Sequence, residues 1–202
     1  MRGRMARVIG IGGGAGAGKT TVAHFLEEKG VKVLDLDELG RKLAQKGGPV
    51  WKEIVRSWDR FFLDVHGHID RRKLGKAAFR NFRILFHLNQ LSHPLLLRET
   101  RKWLRQNAGE TFLAVEGAVL FEGKFLPFLD WVVFVEAGAD LQKERLMVKG
   151  WGERDAWNLV RAQRFSGCLR RRAHLCIDNR DSQEKLWEEV ESFWKHLLAE
   201  RK

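Results

Sequence analysis

The chain has 202 residues, 44% of them hydrophobic, and only two cysteines, Cys168 and Cys176. That is enough for one sizeable core, and it excludes a disulfide-stapled miniature fold or a paired-cysteine zinc site. No apolar run approaches the roughly 20 residues that span a bilayer. The net charge of +11 suits either nucleic acid or polyphosphorylated small molecules, and charge alone does not decide between them.

Met1 to Met5 lead straight into Val8-Ile9-Gly10-Ile11, which reads as a short buried strand. A signal peptide would sacrifice that strand, so a cytoplasmic protein is expected. The next stretch, Gly13-Gly14-Ala15-Gly16-Ala17-Gly18-Lys19-Thr20, fits the phosphate-loop pattern G-x-x-x-x-G-K-[ST], with Thr21 after it. Glycines allow successive N–H groups to turn inward around phosphate oxygens. Lys19 is expected on the β- and γ-phosphates and the Thr20 hydroxyl on Mg²⁺. Val22, Phe25 and Leu26 then fall at helical spacing before Gly30, so the order strand–loop–helix aims a helix N-terminus at the anion.

Val31 to Asp37 reads as a second strand carrying Asp35 and Asp37 at its C-terminal end, the edge at which open α/β sheets bind ligands. A helix cap is the competing reading for both carboxylates, and catalysis is favoured for Asp37. Residues 38–108 read as mainly helical. Val50, Trp51, Ile54, Val55 and Trp58 keep one helical period. A turn follows at 64–70, where His66 and His68 read as loop histidines. Phe82 to Leu91 forms a further helix, expected to stop near His93-Pro94 because proline restricts its predecessor. Another helix is expected from Leu95 through Leu104.

Thr111 to Glu116 is an apolar run ending in a carboxylate, and Trp131 to Val135 is another; both read as buried parallel strands. Asp140 is expected to cap the next helix, on which Arg145 and Lys149 share a face at i, i+4. Gly150-Trp151-Gly152 interrupts it, and a second basic helix follows, which suggests a closing lid. Leu175 to Asn179 reads as a last strand. Asp181 with Glu184 resembles a helix start, and Leu186, Val190, Phe193 and Leu197 complete an amphipathic helix.

Several of these segments together resemble the dephospho-CoA kinase family, within the P-loop nucleoside-monophosphate-kinase-like group. Gly10 through Thr21 is similar to its G-L-T-G-G-I-G-S-G-K-S-T, and Asp35-Leu36-Asp37 to its D-x-D. Gly67-His68-Ile69-Asp70-Arg71 with Leu74 resembles G-x-L-D-R-x-x-L. Leu88 to Pro94 resembles L-N-x-x-x-H-P, Leu120-Phe121-Glu122 the end of P-L-L-F-E, and Ile177-Asp178-Asn179 the terminal I-D-N. The chain departs from the pattern at Gly12, Ala118, Lys149 and His174.

The resemblance implies a three-layer α/β/α P-loop fold with a parallel sheet. It divides a single kinase domain into a core (about 1–37, 109–139 and 169–202), a helical acceptor-binding insertion (about 38–108) and a lid (about 140–168). It also implies transfer of the ATP γ-phosphoryl group to the ribose 3′-hydroxyl of dephospho-CoA, with Mg²⁺ as cofactor and no nucleic-acid partner. In that scheme Gly13 to Thr21 and Asn179 bind ATP, and Thr20 and Asp35 serve the metal. Lys19, Asp37, Arg145 and Lys149 act in the chemistry. Asp37, Arg71, His93, Leu120 and Glu122 meet the acceptor. Two alternatives remain open at this point: another small-molecule kinase, or a nucleic-acid-associated P-loop NTPase. Asp37-Glu38-Leu39-Gly40 matches the short D-x-x-G string of GTP switches, although no N-K-x-D guanine-reading motif accompanies it.

Overall fold

The structure is a computed structural model and describes residues 6–121, 124–162 and 170–200. The described residues form two compact units, one from the segments Met1–Leu34 and Asn107–Lys202 and the other from Asp35–Gln106.

The first unit is built on a five-stranded parallel sheet. Its strands are β1 (Arg7–Gly13), β2 (Lys32–Asp35, whose last residue belongs to the second unit), β3 (Phe112–Glu116), β4 (Trp131–Glu136) and β5 (Leu175–Asp178), in the order β2-β3-β1-β4-β5. β1 therefore lies in the middle, with Ile11 opposite Glu116 of β3 and Gly13 opposite Val135 of β4. Side chains alternate faces along a strand. Ile9, Ile11, Phe112, Ala114, Val133, Val135 and Ile177 accordingly share one core cluster. Val22, Phe25 and Leu26 of α1 (Lys19–Glu28) and Leu186, Val190, Phe193 and Leu197 of the C-terminal helix close over them. On the opposite face a Cβ at Gly10 would come within 2.4 Å of the Leu129 side chain, so glycine there leaves room for Leu129.

Two helices, α6 (Ala139–Val148) and α7 (Glu153–Ala162), follow β4 and pack on each other through Leu146, Ala156 and Val160. Gly138, not Asp140, is the N-cap of α6, and Asp140 lies inside the first turn. The last helix, α8 (Gln183–Ala199), is capped by Ser182, which accepts from the Lys185 N–H, one residue later than Asp181.

The second unit is helical: α2 (Leu36–Leu43), α3 (Pro49–Trp58), α4 (Arg71–Arg80) and α5 (Phe82–Gln106). Asp70 caps α4 by accepting from Lys73 N–H at 2.9 Å. In the turn before it, the Asp64 carboxylate accepts from the N–H groups of His66 and His68. These bonds hold its pKa below the ordinary aspartate range.

Two sequence expectations change here. β2 stops at Asp35, and Asp37 lies in the first turn of α2, because the Asp35 carboxylate caps that helix at once. The helix expected to stop at His93-Pro94 instead runs unbroken for 25 residues with Pro94 inside. Proline deprives the Gln90 carbonyl of its donor, but α5 packs against α2, α3 and α4, and tertiary packing carries a helix through such a defect. Pro94→Ala restores the donor at an exposed position and should stabilise the protein by about 1–3 kcal/mol. Thermal denaturation would read this as a raised melting temperature, and a lowered one would show that the ring is required by its surroundings.

Candidate active site

The loop between β1 and α1 is held by polar contacts from several elements of the first unit. Gly16 and Gly18 have φ of +76° and +101°, and added Cβ atoms would lie 2.6 Å from the Gln142 carbonyl oxygen and 1.9 Å from Asn179 Nδ2. Both positions therefore require glycine for conformation and for space. Gly18 is the N-cap of α1 and makes no side-chain cap bond, and the N-terminus of a helix favours an anion.

Lys19 is buried, and its Nζ donates to the Gly14 carbonyl at 3.2 Å. The Thr20 hydroxyl donates to Oε1 of Glu116 at 3.1 Å. Glu116 is only 5% exposed. It ends β3 directly beside β1, so the sheet register delivers its carboxylate to the start of α1. The sequence reading saw this residue as the end of an apolar strand and gave it no role. A carboxylate closing a buried strand beside a phosphate loop was the available signal.

The outer side of the loop is held by α6 and by the turn after β5. Arg145 donates through Nη1 to the carbonyls of Gly16 (3.3 Å) and Ala17 (3.5 Å), and through Nη2 to the Asn179 carbonyl (3.1 Å). The Asn179 amide donates to the Ala17 carbonyl at 2.8 Å, and its side chain is buried. Gln142 lies against both Gly14 and Gly16. It is a second residue that sequence reasoning missed, although it shares the Arg145 face at i, i+3. Beside Asn179, hydrogen bonds from Arg180 hold the Asp178 carboxyl below the usual carboxylate range. Lys149 is the C-cap of α6 and is exposed.

The remaining expected residues fall in the second unit or elsewhere. Asp35 Oδ1 accepts from the N–H groups of Asp37 (2.7 Å) and Glu38 (3.0 Å), and its Oδ2 lies 3.6 Å from Arg41. Asp37 is exposed on the first turn of α2, so the D-x-x-G string at 37–40 is helix in this chain. Arg71 begins α4, and its guanidinium donates to the Arg41 carbonyl at 3.3 Å. His93 is half-buried within α5. Leu120 is fully buried in a 3₁₀ turn at Ala118–Phe121, which makes it a packing residue in this structure. Glu122 lies outside the described residues, as does the part of the expected lid from 163 to 168.

A cavity of about 470 Å³ lies elsewhere in the first unit, between β5 and α8, lined by Trp131, His174, Cys176 and Phe193 among others. Its residues do not include the phosphate loop, and the loop, with its donors, is where phosphate chemistry fits.

The sequence profile of the family described as "Dephospho-CoA kinase" matches residues 7–185. A dephospho-CoA kinase from Carboxydothermus hydrogenoformans is 33% identical over 188 residues, covering 91% of this chain and 90% of that protein. Among solved structures, TT1252 from Thermus thermophilus superposes with a TM-score of 0.80 at 28% identity, covering 98% of this chain and 100% of that one. The dephospho-CoA kinase from Campylobacter jejuni gives a TM-score of 0.62 at 18% identity, with 96% and 98% covered, a likeness of fold.

The fit of the loop against α6 gives a direct test. Gly16→Ala places a methyl group on the Gln142 backbone at a φ that L-residues rarely adopt. The variant should lose ATP affinity by at least about tenfold and about 1–3 kcal/mol of stability. Calorimetric titration with ATP and a melting curve would check both, and wild-type values would refute the close contact.

Proposed function

The chain belongs to the dephospho-CoA kinase family and phosphorylates dephospho-CoA to coenzyme A, and on that premise we propose how its residues divide the work. Lys19 and the loop amides hold the β- and γ-phosphates of ATP, and Asp37 orients the ribose 3′-hydroxyl of the acceptor and takes its proton. Phosphoryl transfer proceeds with little covalent help from the protein, so positioning and charge neutralisation are the tasks to be assigned. The observation that carries the reading is the loop itself, with its glycine-capped helix N-terminus, buried Lys19 and the Thr20–Glu116 contact.

Mg²⁺ fits the donors present. The Thr20 hydroxyl and the Glu116 carboxylate supply hard oxygens 3.1 Å apart. Mg²⁺ characteristically takes one or two protein oxygens and completes its shell with phosphates and water. When bound, the ion would neutralise charge on the transferring phosphates. In this reading Glu116 takes the metal-side role expected of Asp35, whose Oδ1 is engaged in capping α2.

Arg145 and Asn179 serve ATP binding by holding the loop carbonyls from outside. Lys149, exposed at the end of α6, is the cation we assign to the phosphates during turnover, with α6 and α7 as the closing element. Arg71 and His93 are assigned to the acceptor. Among the described residues no helix is long and apolar enough to cross a membrane, and a cytoplasmic location suits a kinase that draws on cellular ATP.

Two measurements test this assignment. Asp37→Asn keeps the size of the side chain and removes the base, so kcat should fall by about 10²–10⁴-fold. ATP affinity should stay near wild type, because Lys19 and the loop supply it, whereas Lys19→Ala should weaken ATP handling directly. ADP release with dephospho-CoA as acceptor, mass detection of coenzyme A and a melting curve would report the result. Near-normal kcat in a folded Asp37→Asn protein would remove the base role. Glu116→Gln should raise the Mg²⁺ concentration for half-maximal activity several-fold and lessen the extra thermal stabilisation that Mg²⁺ adds to bound ATP. An unchanged Mg²⁺ dependence would return the metal role to other residues.

A further inference from the structure

The charge of this protein is not evenly distributed. Residues 35–106 hold sixteen lysines and arginines against eight aspartates and glutamates, +8 of the chain's +11. The same unit carries four of the large apolar side chains most open to solvent: Phe61 (60%), Val65 (96%), Phe82 (76%) and Phe86 (54%). Phe82 and Phe86 pair on the first turns of α5, with ring centroids 6.1 Å apart, and along that helix full burial begins only at Leu96. Arg80 and Arg83 flank the pair, and Lys76 and Arg72 precede it along α4. All four are exposed, and among the described residues none forms an ion pair with a carboxylate.

Ring contacts lead from the segment after α3 to the early turns of α5. Phe61 meets Phe62 at 4.9 Å, Phe62 meets Trp58 at 5.4 Å, and Trp58 meets His87, the neighbour of Phe86, at 5.0 Å. Lys73 lies over the Phe61 ring at 4.1 Å and donates to its carbonyl. The contacts thus run from exposed Phe61, with its cation, to His87 on the early turns of α5, the helix that carries the Phe82–Phe86 pair.

An exposed apolar patch rimmed by unpaired cations marks an interaction site. A second copy of this chain would set two strongly positive surfaces against each other. Single-stranded nucleic acid would use the phenyl rings as stacking platforms, but Val65, the most exposed of the four, offers no π-face. Insertion at the headgroup–acyl boundary uses aliphatic and aromatic side chains alike, and anionic headgroups satisfy the flanking cations. We propose that the Phe61–Val65 and Phe82–Phe86 surface of the helical unit docks peripherally on anionic phospholipid bilayers.

The full-length protein can be sedimented with vesicles of phosphatidylcholine, alone or mixed with phosphatidylglycerol, at low and at raised salt. Pelleting is expected only with phosphatidylglycerol, and salt should weaken it. The double variants Phe82→Ser/Phe86→Ser and Arg80→Glu/Arg83→Glu should each lower the bound-to-free ratio on the order of tenfold. Melting temperature, kcat and KM for dephospho-CoA without vesicles should stay at wild-type values. Absence of pelleting with phosphatidylglycerol overturns the proposal, as does pelleting that the phenylalanine variant leaves intact. A raised KM for dephospho-CoA in either variant would assign the surface to the acceptor instead. Tighter retention by single-stranded RNA than by vesicles would assign it to nucleic acid.

Discussion

A loop that turns its N–H groups inward toward phosphate must send its carbonyls the other way. Those carbonyls need donors, because an unmade hydrogen bond in a protein interior costs the full desolvation of the group. In this protein the donors are the Arg145 guanidinium and the Asn179 amide, which reach the carbonyls of Gly16 and Ala17. Arg145 also ties the Asn179 carbonyl, so α6, the loop and the turn after β5 form one connected set. Charge-assisted bonds of this kind contribute roughly 1.5–3 kcal/mol each. The planar fork of arginine suits the task, since it serves several carbonyls at once where lysine offers a single point charge. The glycines follow from the same constraint: Gln142 and Asn179 approach so closely that a side chain at Gly16 or Gly18 has no room.

The order of the sheet explains why these groups can meet. β1 occupies the centre, flanked by β3 and β4, and its C-terminal end releases the loop between theirs. Pairing Ile11 with Glu116 brings a buried carboxylate to the Thr20 hydroxyl, and pairing Gly13 with Val135 brings the end of β4 to the loop's first residue. α6 leaves shortly after β4, and Asn179 follows β5, the next strand outward. The donors on one side of the loop and the carboxylate on the other therefore come from neighbouring strand ends, the crevice at which open α/β sheets bind ligands.

How much of this was legible in the sequence depended on how local each signal is. The phosphate loop, the strands of the first unit and α8 declared themselves through glycine spacing and apolar period, and their buried residues match the structure. The end of β2 did not, because a carboxylate at a strand terminus and a carboxylate capping a helix look alike, and Asp35 is both. The continuity of α5 through Pro94 was hidden because the packing that sustains it comes from other helices, α2 and α3 among them, that lie well before it in sequence. Gln142 and Glu116 were hidden for a related reason: Glu116 meets Thr20 from 96 residues away, Gln142 meets the loop from a helix still more distant in sequence, and only the fold brings them there. The eight tryptophans and absent tyrosine gain a partial account, since Trp131, Trp187 and Trp194 lie half-buried against the core cluster. Trp51 places its indole N–H on the Gly67 carbonyl.

The double duty of Asp35 also bears on how Asp37 is placed. An N-cap carboxylate organises the first turn of its helix, because it accepts from N–H groups two and three residues onward. Here one of those two groups is the N–H of Asp37 itself, at 2.7 Å. The orientation of the Asp37 backbone is therefore set by the Asp35 side chain, and the acidic first turn it begins is favoured by the positive end of the helix. The paired aspartates have a physical basis that does not need both to touch substrate or metal. The first holds the turn, and the second is exposed and carries the carboxylate of the pair that is not engaged in the cap.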